Sequence, residues 1–213
     1  MPIKINNQTI AQDDLFGQSK WWGSPDLPVD VEWPIYIDSD GEEWTMQFIC
    51  QINCADLSAY DTPLPKEGLL LFFANIDYYM GYDVEPNGEG VWDAAETKVI
   101  YVAPDQFDIL QQRILVDDDE NPLFLPCREL TFEWSDEQKG EGGNKLLGAP
   151  DFMPWEDWDE PCEGWQLLLQ VDSQEAEDYT LQFMDEGAMY FLISPNDLAQ
   201  HDFSKVRGAM VSM

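Results

Sequence analysis

The sequence predicts an α+β fold that is rich in largely antiparallel sheet, with few short helices and an internal duplication of two similar halves. Three observations support this prediction. Short runs of alternating apolar and polar residues are separated by Gly, Pro and Asp turns, as in antiparallel strands. The sequence has no sustained apolar period near 3.6 residues, which is the pattern that would indicate a long helix. One set of motifs occurs twice along the 213-residue chain, which is typical of a duplicated structural unit.

The repeated set has three elements in the same order. A Gly-x-Pro-Asp segment is followed by an apolar strand pattern containing one Gln, and then by a Gly that opens a second apolar run. Gln51 and Gly68 are 17 residues apart, and so are Gln170 and Gly187. The matched segments are residues 23–26, 48–53 and 68–73 in the first copy and 148–151, 167–172 and 187–192 in the second.

These repeats define the expected domain organisation. We expect one domain over residues 1–213, with repeat halves at about 21–75 and 145–194 and a connecting region at about 76–144. A content of 44% apolar residues is ample for a packed core in a chain of this length.

A short helix is expected over residues 8–16, before the first half begins. Residues 22–34 are predicted to form an extended loop, because each proline removes a backbone donor and restricts the residue before it. Strands are then predicted at Ile35–Ile37 and at residues 44–52, on either side of an Asp-Gly turn at residues 38–41.

Alternation within the repeated strand assigns one face to the core in both copies. The predicted core face comprises Phe48, Cys50 and Ile52 with their counterparts Leu167, Leu169 and Val171. The opposite face comprises Gln47, Ile49 and Gln51 with their counterparts Gln166, Leu168 and Gln170. The runs at residues 69–74 and 188–193 are apolar on both faces, which is typical of central strands that are covered on two sides.

Helical turns or short loops are expected between the strands of each half, at residues 56–59 and 174–177. The connecting region contains several turn motifs, a predicted strand at residues 97–103 and a second at residues 129–134. Residues 136–144 are Gly-rich and acidic and are expected to form a loop.

Charge is the most extreme feature of the composition. The chain has 43 acidic and 10 basic residues and a formal net charge of −33. Such a surface repels phosphate backbones, so we predict no direct binding to nucleic acid and no binding to an anionic membrane. The charge is consistent with solubility alone, or with attraction to a basic partner.

No apolar stretch approaches the roughly 18 residues of a membrane span, and the N-terminal residues lack the apolar region of a signal peptide. We therefore expect a cytoplasmic protein whose four cysteines, Cys50, Cys54, Cys127 and Cys162, are reduced thiols. Cys50 lies on the predicted core face and is expected to be buried.

The motifs together resemble the uncharacterised YwqG-like bacterial family, also called DUF1963. They are Gly-Ser-Pro-Asp-Leu-Pro at residues 23–28 with Trp33-Pro34, the repeated strands at 48–53 and 167–172, and the runs that follow each repeated Gly. The resemblance covers about residues 20–206 and implies a sheet-rich α+β domain with no established activity. It supplies no catalytic residues. Trp22 departs from the family, which usually has Gly there, and Met153-Pro154 stands where the family usually has Gln.

The sequence predicts no catalytic, cofactor-binding or metal-ligating residues. His201 is the single histidine, and no nucleophile motif accompanies it. Residues 38–43 resemble part of a calcium loop but lack its third acidic position and its late Glu, which favours a hairpin turn. The acidic runs at residues 117–120 and 156–160 are typical of solvated loops, although weak cation binding there stays open.

Tryptophans beside prolines offer the best argument for a binding surface. A ring can stack on a pyrrolidine or present a face to an extended peptide, although such rings also pack long loops onto a sheet. The predicted binding surface comprises Trp22, Trp33, Gln51, Trp155, Trp158 and Gln170. The paired Gln residues have a second interpretation. Equivalent positions of duplicated units often meet near their axis, so the two amides are expected to be buried together at the junction of the halves.

The absence of catalytic motifs and the strong charge favour a non-enzymatic binding or interaction protein. Its expected partner is a basic protein or peptide, in a role such as immunity or regulation. A hydrolase whose acidic residues converge from distant positions is one alternative. A nucleic-acid mimic, with acids in rows at phosphate-like spacing, is another. The oligomeric state is not predicted.

Overall fold

The computed structural model of the chain describes residues 1–76, 90–91, 94–117, 119–123, 125–135, 142–151, 164–175, 180–183 and 187–211. Strands dominate these residues, and helices are short. The strands are β1 Ile3–Asn6, β2 Lys20–Trp21, β3 Asp26–Pro28, β4 Ile35–Ile37, β5 Glu43–Thr45, β6 Gln47–Asn53, β7 Leu69–Ala74, β8 Gly90–Val91, β9 Thr97–Val102, β10 Leu110–Gln112, β11 Arg128–Glu129, β12 Thr131–Trp134, β13 Lys145–Leu146, β14 Gln166–Asp172, β15 Gln174–Glu175, β16 Thr180–Leu181, β17 Ala188–Ile193 and β18 Arg207–Val211. The helices are α1 Pro195–Ala199 and 3₁₀ turns at Cys54–Leu57, Ala94–Glu96, Pro104–Ile109 and Phe203–Lys205.

Two large sheets organise the fold. The five-stranded sheet has the order β11-β2-β6-β7-β9, and the seven-stranded sheet has the order β12-β1-β13-β14-β17-β18-β8. Two-stranded sheets join β3 to β10, β4 to β5 and β15 to β16. Each of these strand pairings is antiparallel. The prediction of a sheet-rich, largely antiparallel protein with few short helices is therefore confirmed.

Four strands follow the same order and register in both large sheets. The series β2-β6-β7-β9 in the five-stranded sheet corresponds to β13-β14-β17-β18 in the seven-stranded sheet. Lys20 lies opposite Gln51 in the first series, and Lys145 lies opposite Gln170 in the second. The spacing found in the sequence thus coincides with matched strand pairing.

A β-bulge changes the predicted faces of the repeated strand. The register shifts between Phe48 and Cys50 in β6, and at the matched position between Leu167 and Leu169 in β14. A bulge adds one residue to one strand, so alternation does not continue through it. Ile49 consequently packs on the same side as Cys50, and Phe48 packs on the opposite side. The assignment of Phe48 to the core face and of Ile49 to the other was wrong, as were those of their counterparts Leu167 and Leu168.

Apolar residues fill three layers. The central core contains residues from both large sheets, and within it Phe72 of β7 contacts Phe191 of β17 with ring centroids 5.2 Å apart. The outer cluster of the five-stranded sheet comprises Leu27, Met46, Phe48, Leu69, Leu71, Phe73 and Val102. The outer cluster of the seven-stranded sheet comprises Leu167, Ala188, Tyr190, Leu192, Ala209 and Val211. Strands β7 and β17 are buried on both faces, as predicted.

The N-terminal segment differs from the prediction. Residues 8–16 form no helix, because their backbone pairs with another part of the chain. Ala11 donates its N–H to the carbonyl of Cys127, and Glu129 donates to the carbonyl of Thr9, at 2.8 Å each. Long-range pairing therefore replaced the local helical bonds that a short polar segment would have formed.

The Asp-Gly segment forms the predicted hairpin turn between β4 and β5. The carboxylate of Asp38 accepts hydrogen bonds from the backbone N–H groups of Asp40 and Glu42 and from the indole of Trp44, each at 2.9 Å. The bond from Trp44, with help from these backbone donors, lowers the pKa of the Asp38 carboxyl. The carboxylate thus stabilises the turn.

Cys50 is buried in the central core as a free thiol, as predicted. Burial raises the pKa of its thiol well above the ordinary value, and raises that of Cys54 to about 12 and that of Cys127 to about 11. Since the thiolate is the reactive form, all three should react slowly near neutral pH.

We expect Cys50 to resist alkylation until the protein unfolds, whereas the half-buried Cys127 should react sooner than Cys50. Iodoacetamide labelling followed by peptide mapping, with and without urea, measures both rates. Rapid labelling of Cys50 in the native protein would contradict the position of β6 in the core.

Candidate functional site

A groove of about 760 Å³ lies along the outer edge of β9. One edge of this strand pairs with β7, and among the described residues no strand pairs with the other edge. The volume is within the range of pockets that bind small molecules or peptide side chains. The groove therefore combines a free strand edge with space beside it.

One wall of the groove is the segment that precedes β4. The indole of Trp33 donates a hydrogen bond to the carbonyl of Met46 at 2.8 Å, and its ring makes an edge contact with Phe73, with centroids 5.6 Å apart. These contacts hold the ring in one orientation. Ile35 continues this wall and is exposed.

The opposite wall follows helix α1. His201 lies parallel to Phe203 with ring centroids 6.3 Å apart, and the Nε2 atom of His201 lies 3.1 Å from the carbonyl of Pro63. Phe203 in turn contacts Tyr101 of β9, with centroids 6.1 Å apart. Aromatic rings therefore line both sides of the groove.

The floor of the groove is β9 itself. Ile100 packs against the outer cluster of the five-stranded sheet, and Tyr101 packs against the central core. The Tyr101 hydroxyl donates to the carbonyl of Glu67 at 3.0 Å. At the other end, the Thr97 hydroxyl donates to the carbonyl of Val206 at 3.4 Å, which brings the second wall close to the strand. The groove is therefore bounded at Thr97.

Charged groups of both signs lie at or near the groove. Glu32 is an exposed carboxylate on the Trp33 wall. Burial raises the pKa of the Tyr101 hydroxyl, and the carboxylates of Glu67 and Asp105 raise it further, as expected for nearby negative charge. Lys98 on β9 adds one positive charge to the lining.

A second arrangement, away from the groove, is a buried centre of Lys20, Asp26 and Gln51, each 0% exposed. The ammonium of Lys20 lies 2.9 Å from an oxygen of Asp26. The amide of Gln51 donates to that oxygen at 2.8 Å and to the carbonyl of Gln18 at 2.9 Å, and it accepts from the N–H of Asp26 at 3.0 Å. The carboxylate therefore joins β3 to β2 and β6.

The second half contains the same set of groups. Lys145 and Gln170 both bond to the carboxylate of Asp151, and the N–H of Asp151 donates to Gln170 at 3.2 Å. The Gln170 amide also donates to the carbonyl of Gly143 at 3.0 Å. This centre is slightly less buried, since the side chain of Lys145 is 13% exposed.

The two Gln side chains are buried and hydrogen-bonded as predicted, but the expectation that they meet was wrong. Gln51 lies opposite Leu71, in the outer cluster of the five-stranded sheet. Gln170 lies opposite Tyr190, in the outer cluster of the seven-stranded sheet. The central core separates these two faces, and Phe72 and Phe191 are the matched residues that meet there.

The predicted binding residues occupy different places. Trp33 lines the groove, whereas Trp22, Gln51 and Gln170 are buried and offer no surface to a partner. Trp155 and Trp158 lie outside the described residues.

The sequence prediction missed both the free edge of β9 and the buried lysines. Strand β9 was expected, but its place at a sheet edge depends on long-range pairing. The lysines did leave a signal. Lys20 and Lys145 each stand three residues before the repeated Gly, in a chain with 10 basic residues in total.

Neither arrangement provides a metal centre, since the described part of the chain contains no group of three or more His, Cys, Asp or Glu side chains placed to hold a metal. Nor do the described residues include a helix long and apolar enough to cross a membrane.

The chain is thus a sheet-rich protein. It has two antiparallel sheets around a shared core and a groove along one strand edge. The chain belongs to the family described as a domain of unknown function, DUF1963, whose model matches residues 19–210. No curated protein matches the chain.

Proposed function

We propose that this protein is a non-enzymatic binding protein that takes up a basic, extended protein segment in the groove along β9. The observation that carries the proposal is the groove itself, which has aromatic walls and a free strand edge in a chain with a net charge of −33. A role as an immunity or regulatory factor in the cytoplasm fits such a protein.

Charge complementarity favours a basic partner. Two copies of this chain would repel each other over long distances, whereas a Lys- or Arg-rich segment would be attracted and oriented. Glu32, Glu67 and Asp105 supply negative charge near the groove, and the aromatic rings can contact the aliphatic parts of basic side chains. Attraction of this kind weakens as salt screens it.

The groove offers less support for a hydrolase. Hydrolysis by paired acids needs two carboxylates on either side of the scissile bond. Among the described residues that line the groove, Glu32 is the sole carboxylate. Convergent acids elsewhere, and a nucleic-acid mimic, remain alternative predictions.

We also propose that the two halves arose by duplication within one domain over residues 1–213. The matched strand registers, the matched bulges and the two Lys–Asp–Gln centres support this history. Backbone strain adds to the support. Trp22 and Leu147, which are matched positions, both adopt the left-handed conformation with φ of 53° and 59°, a region that non-glycine residues rarely occupy.

The proposal predicts that a blocked seven-residue peptide of alternating lysine and valine binds the full-length protein. Calorimetric titration should show binding at low salt that weakens at higher salt, because part of the attraction is electrostatic. The matched peptide with glutamate in place of lysine should not bind. Failure of the lysine peptide to bind, or binding that salt does not change, would overturn the proposed function.

Matched variants locate the peptide. Glu32→Lys should weaken binding about fivefold, a size typical of an exposed charge pair, whereas Asp40→Lys makes the same charge change in the hairpin turn outside the groove lining and should have a smaller effect. Ile35→Ser should also weaken binding, and Ile37→Ser serves as its control on the same hairpin strand. Equal effects within either pair would place the peptide elsewhere.

A further inference from the structure

The two matched strands β9 and β18 have different surroundings at their outer edges. Val102 lies opposite Leu69 in the five-stranded sheet, and Val211 lies opposite Ala188 in the seven-stranded sheet. The glycine before each inner strand approaches the carbonyl of that valine, so Val102 and Val211 hold corresponding positions. The two edges can therefore be compared residue by residue.

In the seven-stranded sheet, the chain covers this edge with its own strand. Strand β8 pairs antiparallel with β18, where Val91 lies opposite Ala209 and Gly90 lies opposite Met210. Counting back from the corresponding valines, Ala209 matches Ile100 and Met210 matches Tyr101. No strand occupies the matched place beside β9 in the part of the chain that the structure describes.

Ile100 and Tyr101 form the part of the groove floor that lies away from the boundary at Thr97. The backbone of an edge strand carries N–H and C=O groups that point away from its neighbour, and these bind an added strand readily. An added strand here would have the Trp33 wall on one side and the Phe203 wall on the other. Its side chains would alternate between the two walls.

We propose that the occupant of the groove is a basic strand of a partner protein that extends the five-stranded sheet, antiparallel to β9 and paired with Ile100 and Tyr101. This inference rests on the proposed function and specifies how the segment binds. The side chains directed to the Trp33 wall meet Glu32 and, towards the start of β9, Lys98, which lies opposite Phe73 on the same face. A basic residue therefore suits the position beside Glu32. The side chains at the intervening positions point to the Phe203 wall and contact the aromatic rings of Tyr101 and Phe203, so apolar residues suit that side.

Backbone methylation of the lysine and valine peptide tests the strand pairing. In an antiparallel pair, alternate residues direct their N–H groups to the neighbouring strand. Two peptides are compared: one is methylated at the backbone nitrogens of its valines, and the other at the backbone nitrogens of its lysines. Each peptide lacks the backbone donors of one edge. One peptide should lose at least about tenfold in affinity, while the other changes less than about twofold. Equal affinities would overturn strand addition and would leave the proposed function standing, since the parent peptide still binds.

Disulfide trapping tests the direction. Antiparallel pairing places the C-terminus of the peptide near the start of β9. A Lys98→Cys variant should therefore be trapped at least about fivefold faster by a peptide with an activated cysteine at its C-terminus than by one with it at its N-terminus. The wild-type chain controls for reaction with native thiols. The reverse preference, or no preference, would overturn the antiparallel arrangement.

A second copy of the chain is the other occupant that an exposed strand edge can bind. Sedimentation equilibrium at several salt concentrations distinguishes the two. A monomer at low salt agrees with the proposal, whereas a dimer that the lysine peptide dissociates would show that β9 pairs with its counterpart in a second copy.

Discussion

Replacement of Asp26 by alanine is expected to lower the free energy of unfolding by about 3–5 kcal/mol, as found when one partner of a buried ion pair is removed. The variant leaves the ammonium of Lys20 in the interior without its counter-ion, since both side chains are 0% exposed. It also removes a hydrogen-bond acceptor of Gln51. Urea denaturation at neutral pH measures the change.

The second centre provides the matched control. Asp151→Ala removes the corresponding carboxylate, but the side chain of Lys145 is 13% exposed and can gain some hydration. We therefore expect a smaller loss, of about 1–3 kcal/mol. A cost for Asp26→Ala below that of Asp151→Ala would show that burial does not set the contribution of these pairs.

Replacement of Gly187 by alanine is expected to cost about 4 kcal/mol or more, or to prevent folding. A Cβ atom at this position would lie 1.9 Å from the carbonyl oxygen of Val211 and 2.9 Å from that of Phe183. Both contacts are with backbone, so relief requires both β18 and the backbone at Phe183 to move away from this position. A loss of this size is exceptional for one methyl group and would be diagnostic of the close approach.

Gly41→Ala is the control for this variant. Gly41 has a φ of +85°, and no atom lies within 4 Å of an added Cβ, so its cost should be limited to backbone strain of about 1–2 kcal/mol. Chemical denaturation of both variants gives the comparison. If Gly187→Ala proved as stable as Gly41→Ala, that result would contradict the close approach of β18 to Gly187 beside β17.

Local patterns predicted much of the fold. The Gly and Gln spacing located the inner strands of both large sheets, and apolar runs predicted that β7 and β17 are covered on both faces. These features depend on residues that are near one another in sequence. The bulge after Phe48 was not visible, because an added residue in one strand is defined only relative to its partner.

The groove and the buried centres depend on contacts between distant parts of the chain. Burial of Gln51 was predicted from its apolar neighbours, but its partner Asp26 lies 25 residues earlier and was assigned only to a loop motif. Strand β9 was predicted, yet its free edge depends on which strands pair with it. Net charge indicated a basic partner without indicating a place for it.

Strands β9 and β18 hold matched places in the two large sheets but differ at their outer edges. Both strands end a matched four-strand series, but the chain supplies β8 to cover one and the structure shows no described strand on the other. If the proposed duplication and function hold, the chain itself covers one of two matched edges and leaves the other for a partner. The strand edge and the two aromatic walls would provide the shape, and the negative charge would provide the selectivity.

Hydrogen exchange of the β9 amides with and without the lysine and valine peptide tests the central claim most directly. If a basic strand adds to this edge, exchange should slow within Thr97–Val102, most at the amides that face away from β7, while the matched residues in Arg207–Val211 stay unchanged. Binding of the peptide without slower exchange in β9, or with protection at a different surface, would contradict the claim.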